Sequence, residues 1–239
     1  MSVKNKVVLV TGAARGLGAS TVRALLAAGA AKVYASARNV GSLPHFGDSR
    51  VVPLQLDITN DASVAGAADV ANDVDILVNN AGTMAFSDFV NTPVNVVEAD
   101  MNTNYYGTIR VIRAFLPQFT GRGSGTIVNV VSILGLAPVP PVGAYSASKA
   151  ALHSFTQTLR GTVGQSGVKV FGVYPGPLET DLAKNLPIAK ATPDEAAANI
   201  VRGIEAEELH IFPDPTAVQI GQLWSSNAPA VEAAMRSGG

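Results

Sequence analysis

Tyr145 and Lys149 stand four residues apart in the stretch Tyr145-Ser146-Ala147-Ser148-Lys149. If this stretch is helical, the phenol and the ammonium lie on one face. A free tyrosine has a pKa of about 10, too high to exchange protons near neutrality, and a nearby ammonium stabilises the phenolate and lowers that value. The pair is therefore suited to general acid–base catalysis. Taken alone, the same spacing also fits an amphipathic surface turn.

A third polar residue, Ser132, lies thirteen positions before Tyr145 and directly follows a run of residues predicted as a strand. Ligands collect at the carboxyl ends of parallel strands, so we expect Ser132 and Tyr145 to face one substrate. There the serine hydroxyl would polarise a carbonyl oxygen, while Tyr145 would supply the proton that carbonyl reduction requires.

A glycine-rich turn occupies residues 11–18, between the first predicted strand and the first predicted helix. Gly12, Gly16 and Gly18 let the backbone bend sharply and let a diphosphate approach closely, and the N–H groups of a helix start attract its charge. The spacing differs from the commoner G-x-G-x-x-G pattern, and such turns also serve packing alone. After the first strand of an alternating sheet, the turn favours a dinucleotide site.

The second predicted strand ends in Ala37-Arg38, where NAD-specific sites usually carry a carboxylate. A carboxylate repels a ribose 2′-phosphate, whereas a guanidinium pairs with it through two hydrogen bonds. Arg38, with Arg15 of the glycine turn, therefore favours NADP(H), although each arginine also fits a solvated surface charge. Asp57, after the third strand, fits equally well an acceptor for the adenine amino group and an ordinary turn residue.

Composition excludes several other classes of function. The net charge is -1, so the basic excess that binds nucleic acid or anionic membranes is missing. The absence of cysteine removes disulfides, thiolate catalysis and zinc–thiolate sites. His45, His153 and His210 lack ligand spacing, so no metal is predicted, and His153 is interpreted as a helix-surface imidazole. With no secretory signal at the N-terminus, we expect a cytoplasmic protein.

Short β-branched runs alternate along the chain with longer alanine-rich segments. Strands are predicted at residues 6–10, 32–36, 51–55, 75–79, 126–131 and 169–174, with a weaker one near 209–212. Helices are predicted at residues 16–28, 61–71, 94–119, 143–163 and 193–206, and a C-terminal helix at about 218–235. This alternation predicts a single α/β domain over residues 1–239, a doubly wound parallel sheet with helices on both faces.

An ordered set of motifs runs from residue 11 to residue 180. Its members are Thr11-Gly12-x-x-x-Gly16-x-Gly18, Asp57, Asn79-Asn80-Ala81-Gly82, Asn104, Ser132, Tyr145-x-x-x-Lys149 and Pro175-Gly176-Pro177-x-x-Thr180. This set resembles the short-chain dehydrogenase/reductase family, which implies a Rossmann-type fold. The resemblance implies the catalytic residues Asn104, Ser132, Tyr145 and Lys149. It implies cofactor contacts from Gly12, Arg15, Gly16, Leu17, Gly18, Arg38, Asp57, Ile58, Asn80, Ala81, Gly82, Tyr145, Lys149, Pro175, Gly176 and Thr180.

The resemblance also implies roles for these residues. Asn104 is expected to kink its long helix and to hold a water in a proton relay through Lys149 and the nicotinamide ribose to Tyr145. Lys149 would also bind that ribose, which residues 80–82 would border, and Pro175, Gly176 and Thr180 would flank the carboxamide. The pattern of Arg15 and Arg38 with no acidic residue at position 37 is similar to that of the NADP(H)-preferring subgroup. Family members are commonly homodimers or homotetramers, and residues 209–214 depart from the usual closing strand.

The sequence thus predicts NADPH-dependent reduction of a ketone or aldehyde, reversible as alcohol oxidation of a small-molecule substrate. A loop at about residues 176–191 is expected to close over the substrate and to supply Leu178, Leu182 or Leu186. Two alternatives stay open. One is a non-catalytic NADP(H)-binding sensor or scaffold on the same fold, a kind of protein that usually lacks the tyrosine, lysine or serine. The other is a nucleotide-sugar epimerase or dehydratase, which usually has a longer chain and a G-x-x-G-x-x-G turn.

Overall fold

The computed structural model describes residues 1–86, 90–183 and 188–237. In this part of the chain, seven strands form one sheet: β1 (Val7–Val10), β2 (Lys32–Ala37), β3 (Val51–Gln55), β4 (Ile76–Asn79), β5 (Gly125–Val130), β6 (Val168–Val173) and β7 (His210–Ile211). Their order is β3-β2-β1-β4-β5-β6-β7, and every neighbouring pair is parallel. The winding direction reverses between β1 and β4, which is where open α/β sheets bind their ligands.

Helices connect these strands and cover both faces of the sheet. They are α1 (Gly16–Ala27), α2 (Asp61–Val70), α3 (Val94–Asp100), α4 (Thr108–Arg122), α5 (Gly143–Thr162), α6 (Pro193–Glu205), α7 (Pro215–Ser226) and α8 (Ala228–Ser237). The predicted single doubly wound α/β domain is confirmed, and β7 confirms the weak strand near residues 209–212. None of the described helices is both long enough and apolar enough to span a membrane.

Burial of the sheet on both faces explains the continuous apolar runs. In β1, Val8 and Val10 belong to the core cluster shared with α1 and α6, whereas Leu9 belongs to the cluster shared with α2, α4 and α5. Successive strand residues point to opposite faces, so a strand covered on both sides is apolar at every position. At the edge of the sheet, β3 accommodates Pro53 because an edge strand has one side without ladder bonds.

The helix predicted over residues 94–119 is interrupted. A π-helical segment, Met101–Gly107, joins α3 to α4, which continues to Arg122 and ends at Gly123 in the left-handed conformation. A π-helical turn contains about one residue more than an α-helical turn, and it often marks a functional site. The extra residue changes the apolar pattern too little to be visible in the sequence. The segment therefore places Asn104 in an irregular part of a long helix.

The prediction of one C-terminal helix at about residues 218–235 is wrong. The chain forms two helices, α7 and α8, separated at Asn227, whose φ of -155° and ψ of 80° are not helical. The start of α7 has a clear physical cause, because the Asp214 carboxylate accepts a hydrogen bond from the backbone N–H of Ala217 and Pro215 occupies the first turn.

Candidate active site

The glycine turn is fastened to the end of β4. Thr11 Oγ1 accepts hydrogen bonds from the backbone N–H groups of Asn80 (2.9 Å) and Ala81 (3.0 Å), and Asn80 Nδ2 donates to the carbonyls of Thr11 (2.9 Å) and Gly12 (3.1 Å). A Cβ on Gly12 would lie 2.8 Å from Ala81 Cα, and one on Gly18 would lie 2.2 Å from the Gly12 carbonyl oxygen. The turn therefore requires glycine at both positions.

The first turn of α1 leaves its N–H groups available to an anion. Arg15 stands at the N-cap position, and its side chain makes no capping hydrogen bond. Instead, Arg15 Nη1 pairs with Asp181 Oδ2 at 2.9 Å, and both side chains are exposed. This pair borders a cavity of about 690 Å³ lined by Arg15, Gly16, residues 179–181 and residues 188–190. The N–H groups and the nearby guanidinium together suit a negatively charged ligand.

The ends of β2 and β3 lie beside the same turn. Arg38 is exposed directly after β2, next to the buried Ala37. Asp57 Oδ1 accepts hydrogen bonds from the Thr59 hydroxyl (2.7 Å) and backbone N–H (2.9 Å), and these bonds, with the charge of Arg38, hold the pKa of the Asp57 carboxyl below its usual value. Asp57 thus makes the hydrogen bonds of an ordinary turn residue, one of the two roles considered for it. Its contact with adenine stays a prediction. Ile58 is buried and packs against Gly107.

Ser132 and Tyr145 meet above the carboxyl end of β5. Ser132 Oγ accepts a hydrogen bond from the backbone N–H of Leu134 (3.1 Å) and lies 3.4 Å from the carbonyl oxygen of Pro175. Tyr145 is in the first turn of α5. Burial raises the pKa of the Tyr145 phenol to about 12, and hydrogen bonding by the Ser132 hydroxyl acts in the opposite direction.

Lys149 is 3% exposed, one turn after Tyr145 on α5. Its Nζ donates to the carbonyl oxygen of Val130 at 2.8 Å and lies 5.7 Å from the centre of the Tyr145 ring. Burial lowers the pKa of the Lys149 amine to about 8. The same ammonium lies 3.6 Å from the position that a Cβ on Gly82 would occupy, so residues 81 and 82 connect Lys149 to the glycine turn.

Asn104, fully buried in the π-helical segment, connects three parts of the site. Its Nδ2 donates to the carbonyl oxygen of Thr83 (2.9 Å) and to Ser148 Oγ (2.9 Å), and its Oδ1 accepts from the backbone N–H of Thr83 (2.8 Å). Ser148 in turn donates to the Tyr145 carbonyl oxygen at 2.7 Å. The structure thus brings Asn104, Ser132, Tyr145 and Lys149 together, and the relay water assigned to Asn104 stays a prediction.

The loop after β6 contacts both ends of the site. The carbonyl oxygen of Pro175 accepts a hydrogen bond from the backbone N–H of Ile133 at 3.1 Å, and Thr180 Cγ2 lies 3.1 Å from where a Cβ on Gly16 would be. A parallel bridge between Leu178 and Ala191 ties the two ends of the loop together.

The loop was expected to supply leucine side chains to the substrate, and the structure tests only part of this expectation. Leu178 is 6% exposed and belongs to the core, so its prediction as a substrate contact is wrong. Leu182 is 39% exposed. Leu186 and the rest of residues 184–187 lie outside the described residues.

A family model for short chain dehydrogenases matches residues 6–191. The chain belongs to the short-chain dehydrogenase/reductase family. Among related family members, a dehydrogenase/reductase SDR family protein 7-like from Anopheles gambiae is 30% identical over 96% of this chain and 81% of its own length. A protein of the same name from Drosophila melanogaster is 36% identical over 75% of this chain, and the alignment covers 59% of that longer protein.

A solved structure extends the comparison to three dimensions. The crystal structure of a short chain dehydrogenase from Burkholderia cenocepacia J2315 in complex with NADP is 36% identical, with a TM-score of 0.92. The superposition covers 98% of this chain and 99% of that one. The short-chain dehydrogenase fold is therefore shared over nearly the whole length, including the C-terminal helices.

Sequence reasoning missed two buried carboxylates in this short-chain dehydrogenase. Asp214, 2% exposed, accepts a hydrogen bond from the Gly176 backbone N–H at 2.7 Å and so joins α7 to the start of the loop. The Asp-Pro pair at residues 214–215 was the available signal, since it is typical of a helix start. Asp100 is also 2% exposed, but the sequence around it contains no comparable signal of its burial.

The interpretation of His153 as a surface imidazole is wrong. Its Nδ1 is 2.8 Å from the Tyr174 hydroxyl, and its ring packs against Trp224 at a centroid distance of 5.7 Å. Burial lowers the pKa of the His153 imidazole. The residue faces the contact between α5 and α7, which the helix-period pattern of α5 alone does not reveal.

Proposed function

We propose that the chain is an NADPH-dependent carbonyl reductase that converts a ketone or aldehyde into an alcohol, with Tyr145 as the general acid. The reverse reaction would use the Tyr145 phenolate as the base. The observation that supports this most is the meeting of Ser132, Tyr145 and a buried Lys149 beside the glycine turn. A hydroxyl, a phenol and an ammonium at these distances are the groups needed to protonate a carbonyl oxygen.

The residues present fit a dinucleotide. Glycine is required at positions 12 and 18, and the first N–H groups of α1 have no side-chain cap. An exposed Arg38 beside Ala37 supports NADP(H) over NAD(H), in line with the NADP bound in the similar Burkholderia structure. When bound, the reduced nicotinamide would supply the hydride for the carbonyl carbon.

The proposed contacts with this cofactor divide along the groove. Gly16, Leu17 and Gly18 would hold the diphosphate, Arg15 and Arg38 the ribose 2′-phosphate, and Asp57 and Ile58 the adenosine end. Asn80, Ala81, Gly82 and Lys149 would border the nicotinamide ribose, and Pro175, Gly176 and Thr180 the nicotinamide. Arg15 would have to leave Asp181 to reach the 2′-phosphate, which is feasible because exposed ion pairs contribute only about 0–1 kcal/mol.

Proton transfer is the task of the tyrosine and the lysine. With its pKa raised to about 12 by burial, the Tyr145 phenol keeps its proton until a developing alkoxide accepts it. In the reverse direction the phenolate needs a positive neighbour, and Lys149, with a pKa of about 8, is mostly an ammonium at neutral pH. Ser132 would hydrogen-bond the substrate oxygen, and Asn104 would hold α5 through Ser148.

A panel of ketones and aldehydes tests this function. We expect purified protein to oxidise NADPH with some members of the panel and to prefer NADPH over NADH. Ser132→Ala should lose the activity, which guards against a contaminating reductase. A protein that binds NADPH and turns over no carbonyl would instead support the sensor or scaffold alternative. The cytoplasmic location and the homodimer or homotetramer stay predictions.

A further inference from the structure

Asp100, the last residue of α3, is a buried carboxylate close to the proposed catalytic groups. It is 2% exposed, and both of its oxygens accept hydrogen bonds, from Thr83 Oγ1 at 2.8 Å and from the backbone N–H of Ala85 at 3.1 Å. No ion pair within 4.0 Å joins it to a cation of the described residues. Burying a charge without a direct partner is costly, so its surroundings must offset that cost in another way.

Asp100 and Asn104 hold the same piece of chain, residues 82–85. Thr83 makes a hydrogen bond through its hydroxyl to Asp100 and two through its backbone to Asn104. Directly before it, a Cβ on Gly82 would lie 2.9 Å from Asn104 Oδ1 and 3.6 Å from Lys149 Nζ, so the backbone there runs close to both groups. The position of residues 82–85 therefore determines the space around the ammonium.

The charge of Asp100 acts on both members of the proton-transfer pair. Burial lowers the pKa of Lys149, and the negative charge of Asp100 raises it. Burial raises the pKa of Tyr145, and Asp100 raises it further. Residues 82–85 carry no ionisable side chain, Glu98 of α3 is exposed, and Tyr105 of the π-helical segment packs against Phe155. Of the carboxylates on these described elements, Asp100 is the buried one, and its hydrogen bond to Thr83 ties it to the segment whose Gly82 borders Lys149.

We propose that Asp100 is a positioning residue that serves as the buried counter-charge of Lys149 and holds residues 82–85 against it. This proposal rests on the proposed function, because its purpose is to keep the lysine an ammonium beside Tyr145. Asp100 is not among the proposed substrate or cofactor contacts, and it would act through Lys149 and Tyr145.

The direct test is the pH dependence of kcat/KM in Asp100→Asn. Removing the negative charge lowers the pKa of both Lys149 and Tyr145. The basic limb of carbonyl reduction and the acidic limb of alcohol oxidation should therefore both move to lower pH, by on the order of one unit. A fall in rate with an unmoved profile would mean that Asp100 is only structural and would overturn the proposal.

Two matched variants separate charge from hydrogen bonding. Asp100→Glu keeps the charge and should keep the pH profile even if the rate falls. Thr83→Ala removes one hydrogen bond to Asp100 and should also leave the profile in place. A shift in either variant as large as that in Asp100→Asn would count against the proposal. Should Asp100→Asn fold poorly, Asp100→Ser, which keeps a hydrogen-bond acceptor without the charge, carries the same prediction.

A titration without substrate separates this proposal from the proposed function. The pKa of the Lys149 amine is measured by NMR on protein with labelled lysine, with Lys149→Met to assign the signal. We expect a lower pKa in Asp100→Asn than in the wild type, and an unchanged value refutes the counter-charge. If the pKa moves but no carbonyl is reduced, the reductase function fails while the electrostatic coupling stands.

Discussion

Substituting Gly18 by alanine tests whether the glycine turn is built for a cofactor. The new Cβ would lie 2.2 Å from the Gly12 carbonyl oxygen and 2.5 Å from Asn80 Nδ2. Ordinary contacts of this kind exceed about 3.4 Å, so the turn must open by roughly 1 Å. Asn80 Nδ2 would then lose its hydrogen bonds to the carbonyls of Thr11 and Gly12.

The size of the effect follows from these contacts. Overpacking costs about 1–3 kcal/mol, and each lost hydrogen bond costs about 1 kcal/mol, partly offset by the higher helix propensity of alanine. We expect the free energy of unfolding to fall by about 2–4 kcal/mol and Tm by about 4–16 °C. Moving the N–H groups at the start of α1 away from a diphosphate should weaken NADPH binding by at least about tenfold.

Calorimetric titration with NADPH and thermal unfolding measure the two effects. Gly66→Ala is the matched control, because Gly66 lies in α2 with nothing within 4 Å of its would-be Cβ. That change should leave NADPH binding intact and stabilise the fold by about 0.5–1 kcal/mol. Wild-type NADPH affinity in Gly18→Ala would refute the assignment of this turn to the cofactor.

Two further substitutions probe the cofactor and proton-transfer ends of the site. Arg38→Asp should weaken NADPH binding by about tenfold to hundredfold, the worth of a charge-assisted hydrogen bond, and move the kcat/KM ratio towards NADH. Lys149→Met should abolish turnover and yet stabilise the fold at neutral pH. Because burial lowers the pKa of Lys149 from 10.5 to about 8, the unfolded chain binds more protons between these pH values. Wild-type stability therefore rises across that window by up to about 3 kcal/mol, and the rise is absent in the variant.

Exposed residues of the same types provide the controls. Arg202→Asp, on the surface of α6, should leave the cofactor preference unchanged, and Lys169→Met should leave the slope of stability with pH unchanged. Urea unfolding from about pH 7 to pH 10 measures that slope. An unchanged preference in Arg38→Asp, or parallel stability curves for wild type and Lys149→Met, would contradict these assignments.

The fold was predictable because its signals are local and repeated. Apolar strands such as β1 alternate with amphipathic helices, and glycines at 12, 16 and 18 mark the first strand-to-helix turn. Tyr145 and Lys149 could be paired from their spacing, since residues four apart share a helix face. Ser132 could be added because the carboxyl ends of parallel strands meet at one edge.

The parts that were missed depend on contacts distant in sequence. The resemblance implied a kink at Asn104, but its form as a π-helical segment was not predicted, because Met101–Gly107 keeps the apolar pattern of an ordinary helix. Asp100 is polar at the end of a short helix, which in sequence is indistinguishable from a solvated residue. His153 looks exposed from the pattern of α5, and only the packing of α7 against it buries the ring. The C-terminal break at Asn227 is different, because it has a local signal that the prediction overlooked: Asn227 caps α8, and Pro229 lies in the first turn of that helix.

The central claim is that Tyr145 carries the proton, and Tyr145→Phe tests it most directly. The substitution removes one hydroxyl and keeps the ring, whose centre lies 5.7 Å from Lys149 Nζ. NADPH affinity and turnover of the best carbonyl substrate should be measured on the same preparation. We predict unchanged NADPH binding and a loss of turnover of about a hundredfold to ten-thousandfold, the usual contribution of a general acid. Near-normal turnover with Tyr145→Phe would contradict the proposed mechanism.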